Sequence, residues 1–138
     1  MNRIVNTYNK AIKRMESKGW NKIYITIDVH ETILEPNYGG LSDTYYPMAK
    51  ECLQVMSKRD DLILIMWTCS SEEDRQAYDE LFRSDDIIFN HINENPEVQG
   101  KFTWGDFETK MYTNLLLDDK AGFSYEEDWQ ALYKELTN

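Results

Sequence analysis

Apolar side chains at Ile4, Tyr8, Ala11, Ile12 and Met15 recur at the spacing of one helix face, and Gly19 stands where a left-handed C-terminal cap belongs. Residues 3–18 are therefore expected to form an amphipathic N-terminal helix. The period changes at Ile23-Tyr24-Ile25-Thr26-Ile27, a β-branched and aromatic run that stops at Asp28 and predicts a buried strand. A turn-rich stretch, 35–43, contains Pro36-Asn37-Tyr38-Gly39-Gly40 and predicts a loop. It leads to Pro47 in the first turn of a helix carrying Met48, Cys52, Val55 and Met56. The run Leu62-Ile63-Leu64-Ile65-Met66-Trp67 lacks polar alternation, as expected of a strand covered on both faces in a parallel sheet.

Ser71 with Asp74 resembles a capping box ahead of a helix with Ala77, Tyr78, Leu81 and Phe82 on its buried face. Ile87-Ile88-Phe89 predicts a short third strand, and 90–106, rich in Asn, Glu, Pro and Gly, predicts a loop. Leu115-Leu116-Leu117 is a short apolar strand running into Asp118-Asp119. Ser124 with Glu127 gives a second capping-box signature before Trp129, Leu132, Tyr133 and Leu136. Alternation of strands and helices over a length that suits one domain, 1–138, predicts a three-layer, Rossmann-like α/β fold with a mainly parallel sheet and right-handed crossovers.

Charge narrows the function. With 25 acidic against 15 basic side chains the formal net charge is −10, which opposes binding to a nucleic-acid backbone. An acidic protein that handles phosphate needs a local cationic device, and a divalent ion held by carboxylates is one. Cys52 and Cys69 form neither a C-x-x-C pair nor a disulfide framework. The first residues open a polar helical pattern without an apolar signal core, and Leu62–Trp67 is too short to span a bilayer, so no membrane association and a cytoplasmic location are expected.

In such folds ligands bind outside the carboxyl ends of the strands. The predicted strands end in Asp28, Thr68 and Asp118-Asp119, bringing three carboxylates and a hydroxyl to one rim. Converging carboxylates repel unless a cation or proton lies among them, and hard oxygen ligands suit Mg²⁺. Singly each has an ordinary role: an Asp after a strand starts turns, Thr68-Cys69-Ser70-Ser71 caps a helix, and Asp118-Asp119-Lys120 makes a solvated loop.

Taken in order, these segments resemble the haloacid dehalogenase superfamily. Ile23 to Thr32 is similar to its first motif, an apolar strand followed by D-x-D-x-T, with His30 in place of the second Asp. Ile65-Met66-Trp67-Thr68 is similar to the second, Lys110 stands as a third-motif lysine, and Leu115 to Asp119 is similar to the fourth. The likeness spans 23–123 and comes nearest to small deoxynucleotidase-like and phage-type members. It implies a Mg²⁺-dependent phosphatase acting on a phosphorylated small molecule, a nucleotide being one candidate, with Asp28 as the nucleophile that becomes an aspartyl phosphate. Metal ligands would be Asp28, the backbone carbonyl of His30 and Asp119, with Asp118 acting through water. Thr68 would hydrogen-bond a phosphoryl oxygen, and Lys110 would neutralise the phosphate, with Lys101 and Lys120 as competitors for that role. His30 departs from the pattern at the acid/base position; imidazole chemistry suits proton transfer near neutrality, and a satisfied structural histidine is the alternative.

No insertion is long enough for a large cap, so 35–43, with Tyr38 and Gly39-Gly40, is the expected flap, and 90–106, with Phe102 and Trp104 followed by Phe107, a second wall. An open site also admits closure by a second copy in a homo-oligomer. Two rivals stand beside this reading. Cys69 and Arg75 fit C-x5-R, the cysteine-phosphatase spacing, but the loop would hold Glu72, Glu73 and Asp74 and no glycine, and those carboxylates would repel phosphate. The other is a catalytically degenerate protein of the same fold that binds a phosphorylated ligand or a protein partner.

Overall fold

The structure, a computed structural model, describes residues 2–138. Helix α1 (Arg3–Lys18) begins where the Asn2 side chain accepts from Val5 N–H at 2.9 Å and ends at Gly19, whose φ of 71° only glycine adopts freely. Then follow β1 (Ile23–Asp28), α2 (Ala49–Ser57), β2 (Leu62–Trp67), α3 (Glu72–Ser84), β3 (His91–Ile92), the hairpin β4 (Lys101–Phe102) and β5 (Gly105–Asp106), β6 (Leu115–Leu117), a 3-10 turn Asp119–Ala121, and α4 (Asp128–Leu136). The main sheet has four strands in the order β3-β2-β1-β6, all parallel. It is a Rossmann-like, three-layer α/β fold, with no cap domain among the described residues.

The layers differ in kind. Alternate strand residues Ile23, Ile25, Ile27, Leu62, Leu64, Met66, Leu115 and Leu117 share one core with Tyr8 and Met15 of α1, Leu53 and Met56 of α2, Tyr78 and Phe82 of α3, and Trp129 and Leu132 of α4. The opposite face, which carries Tyr24 and Thr26, is covered by the 93–114 connection: Thr26 Oγ1 donates to Thr113 Oγ1 at 2.8 Å, and Tyr112 stands edge-on to Tyr24. A right-handed crossover from β3 back past β1 to β6 must pass over that face. Its Asn, Pro and Gly residues have no helical period, so the layer is irregular and pinned by single side chains such as Asn95, which donates to the Tyr112 carbonyl at 3.0 Å.

Three expectations are corrected. Ile87-Ile88-Phe89 is not the third strand; Ile87 and Phe89 are apolar because they are buried in the core, and contact with β2 begins at Asn90, whose N–H donates to Leu64 O at 2.8 Å, with the ladder proper at His91–Ile92. Pro47 lies outside α2: Tyr46 O accepts from Ala49 N–H at 3.1 Å across a turn whose third residue, Met48, has φ 68°, the type II geometry that favours proline second. Ser124 does not cap α4 with its hydroxyl. Instead its N–H donates to Asp128 Oδ2 at 2.7 Å, while Asn2 Nδ2 holds Asp128 Oδ1 at 2.7 Å, which ties the start of α4 to the start of α1. No helix of the described residues is long and apolar enough to cross a membrane.

Candidate functional site

Parallel pairing of Ile27 with Leu117 sets the ends of β1 and β6 side by side, so Asp28 and Asp118-Asp119 emerge together at the carboxyl edge. One oxygen from each of Asp28, Asp118 and Asp119 lies within 4.8 Å of the others. Burial, and next the negative charge of Asp118, push the Asp28 carboxyl up to about 7, against the lowering effect of a hydrogen bond from Thr32. A carboxylate in this position is stabilised by a cation or a proton.

Thr32 organises the cluster. Its fully buried hydroxyl donates to Asp28 Oδ2 at 3.1 Å and accepts from Asp119 N–H at 3.1 Å, linking the two strand ends, while its carbonyl accepts from Trp129 Nε1–H at 2.7 Å. A tight loop brings Thr32 there: Ile33 and Leu34 N–H both donate to the Val29 carbonyl, and Glu31 takes φ 63° to permit it. The His30 carbonyl between them accepts no hydrogen bond among the described residues and is free for a ligand. Asp118 Oδ1 accepts from Lys120 N–H at 2.9 Å, so it both caps the 3-10 turn and belongs to the cluster. These are hard oxygen donors, the set that holds a small divalent cation.

Thr68 follows β2 and is clamped by Asn93, whose Oδ1 accepts from Thr68 N–H at 2.8 Å and whose Nδ2 donates to Thr68 O at 2.7 Å. His30 Nε2 is hydrogen-bonded to Tyr78 Oη at 2.7 Å, and that oxygen also accepts from Ser42 N–H at 3.3 Å. Tyr78, a buried residue of α3, thus orients the imidazole. The cleft itself, about 360 Å³, is lined by Asp28, His30, Thr68 and Asp119, by Cys69, and by Pro36, Asn37 and Tyr38 of the expected flap. That flap closes on itself through Glu35 N–H to Thr44 O and an Asn37 side chain that accepts from Gly39 N–H, leaving Tyr38 94% exposed at its tip.

The structure therefore brings together Asp28, His30, Thr68, Asp118 and Asp119, but not Lys110. Lys110 lies among Asn93, Glu94, Asn95 and Met111 in a separate depression, whereas Lys120 lines the cleft. A residue preceding a strand approaches its amino end, and the cluster sits at the carboxyl end. Lys101 is on the exposed hairpin, 3.8 Å from Glu108. The Cys69–Arg75 loop makes no anion cradle, because Ser71 Oγ already accepts from Asp74 N–H at 3.2 Å beside Glu72 and Glu73. Thr32, Tyr78 and Asn93 were not singled out as functional from sequence; only Thr32, the Thr of the D-x-x-x-T run, carried a signal.

The fold and this rim define an α/β protein with a three-carboxylate cluster at the strand ends. No family model and no curated protein matches the chain. A solved structure, described as a conserved protein coded by a locus from Bacteroides thetaiotaomicron, superposes with a TM-score of 0.64 at 24% identity, covering 85% of this chain and 91% of that one. At that identity the likeness is one of fold.

The cluster has a measurable consequence for stability. In metal-free buffer the folded chain keeps a proton on Asp28 up to about 7, while the unfolded chain releases it near 3.8. The folded state binds more protons in that window, so this contribution to stability falls as pH rises from about 4 to about 7. Asp28→Asn removes it. The variant's melting temperature should exceed the parent's by a gap that opens across that window and levels off above it, worth roughly 1–2 kcal/mol after discounting for partial exposure. A gap independent of pH contradicts the strain assigned to Asp28.

Proposed function

We propose that the chain is a Mg²⁺-dependent phosphatase acting on a phosphorylated small molecule, nucleotides among the candidates, through an aspartyl phosphate on Asp28. The observation that carries this reading is the convergence of Asp28, Asp118 and Asp119 within 4.8 Å beside an unengaged His30 carbonyl. When bound, Mg²⁺ supplies the positive charge that lets a carboxylate approach a phosphate dianion. Asp28, Asp119 and the His30 carbonyl would hold it, with Asp118 behind them. The Asp28 carboxylate attacks phosphorus as the ester P–O bond breaks and the leaving oxygen takes a proton; water then cleaves the acyl phosphate and restores Asp28. In this reading Thr68 donates to a phosphoryl oxygen and Lys120 neutralises one, supported by Lys120, and not Lys110, lining the cleft.

One observation favours the second reading, a protein that binds a phosphorylated ligand without turnover: His30 Nε2 is already engaged by Tyr78, leaving only Nδ1 for proton transfer. Hydrolysis of p-nitrophenyl phosphate with and without EDTA decides between them. Turnover abolished by EDTA and restored by Mg²⁺ is the expected result, and absence of hydrolysis with retained phosphate binding supports the second reading. His30→Asp should keep or raise the rate and His30→Ala lower it by about 10²-fold. An unchanged alanine variant assigns His30 to orientation of the loop alone.

A further inference from the structure

A cavity of about 860 Å³ lies at the amino edge of the sheet, where the α1–β1 turn meets the irregular layer. It is larger than the carboxylate cleft and within the range of about 300 to 1,000 Å³ typical of small-molecule sites. Lys18 at the end of α1, Trp20 of the turn, and Trp104 and Tyr112 of the irregular layer line it; the indoles are 42% and 60% exposed. An adjoining depression shares Trp20, Trp104 and Tyr112 and adds Arg14 and Lys110. In a chain with 25 acidic and 15 basic residues, neither wall contains a carboxylate. Lys22, also on the wall, is paired with Glu97, but Arg14 and Lys18 form no salt bridge among the described residues; Lys110 also lines the neighbouring depression that holds Glu94 and Glu108. Exposed indoles, Trp104 carrying Phe102 stacked on one face, stand beside Arg14 and Lys18, cations with no salt bridge among the described residues; on a protein of net charge −10 they select a flat ring with a compact anionic group, and the overall charge disfavours a long polyanion.

We propose that this cavity binds a mononucleotide, its base lying against Trp20 and Trp104 and its phosphate met by Arg14 and Lys18. The site is independent of the carboxylate cluster, since Tyr24 on its wall and Asp28 are separated along β1 by about 13 Å of strand. It also gives Trp104 and Phe107, which line the two depressions, a role that the cleft does not.

The test is titration of the full chain with AMP in EDTA, followed by NMR of the indole N–H groups, assigned with Trp20→Phe and Trp104→Phe. Saturable shifts of the Trp20 and Trp104 signals are expected. The double variant Arg14→Glu/Lys18→Glu should bind about tenfold more weakly or worse, as loss of charge-assisted contacts implies, and adenosine should bind correspondingly less well than AMP. Asp28→Asn should bind as the parent does, so failure of the phosphatase reading leaves this result unaffected. Shifts confined to Trp129, whose indole is bonded to Thr32 beside the carboxylates, would place AMP in the cleft and overturn the proposal. Absence of saturation, or affinity indifferent to the charge reversal, would overturn it as well.

Discussion

Asp28→Asn is expected to lower hydrolysis of any phosphomonoester by at least about 10³-fold, because the amide is neither charged nor nucleophilic. The same substitution relieves the burial and charge repulsion that push the Asp28 carboxyl up to about 7, so the inactive variant should be more stable than its parent in metal-free buffer. That combination excludes misfolding as the cause of lost turnover. Cys69→Ser should leave the rate within a factor of about two, since Cys69 is an exposed free thiol on the residue after Thr68, in a loop that makes no anion cradle. Beryllofluoride with Mg²⁺ should raise the melting temperature of the parent and not of Asp28→Asn, as a mimic of the phosphorylated carboxylate requires. If Asp28→Asn keeps its activity while Cys69→Ser loses it and EDTA has no effect, the aspartate mechanism is wrong.

Legibility from sequence followed periodicity. Helix α1 and strands β1 and β2 stood out because strong 3.6-residue and β-branched patterns coincide there with end signals, Gly19 and Asp28 among them. Ile87-Ile88-Phe89 misled because burial, not ladder pairing, explains its apolar character. The 93–114 layer had no pattern to read: Asn95, Tyr112 and Thr113 hold it through side-chain contacts at irregular spacing, and such contacts leave no period. The site divides the same way. Asp28, Thr68 and Asp118-Asp119 are visible as residues ending strands, whereas Lys110, expected only from its resemblance to a third-motif lysine, lies outside the cleft. Tyr78 and Asn93 act from other elements, 48 and 25 residues from their partners, which a linear reading cannot pair.

Trp129 should be the position where stability and site geometry fail together. It is fully buried, stands edge-on to Phe123 at 4.8 Å, and donates from Nε1 to the Thr32 carbonyl. Trp129→Ala removes that volume and should cost about 3–5 kcal/mol in urea unfolding, a large part of the stability of a domain this size. Trp129→Phe is the informative variant. It keeps most of the apolar volume but leaves the buried Thr32 carbonyl without its donor, at a cost of about 1–3 kcal/mol, and the chain should still fold. Because Thr32 Oγ1 links Asp28 Oδ2 to Asp119 N–H, loosening its backbone should spread the carboxylates and weaken Mg²⁺ binding by about tenfold in calorimetry, as misplaced supporting groups do at metal sites. Thr32→Val, which removes the hydroxyl link directly, should weaken Mg²⁺ by a similar factor, and the double variant by little more, since both act through one hydrogen-bonded path. Full additivity of the two losses would instead mean that Trp129 acts on the site by a path other than the Thr32 hydroxyl, and an unchanged Mg²⁺ affinity in Trp129→Phe would mean that it supports the fold without positioning Asp28 and Asp119.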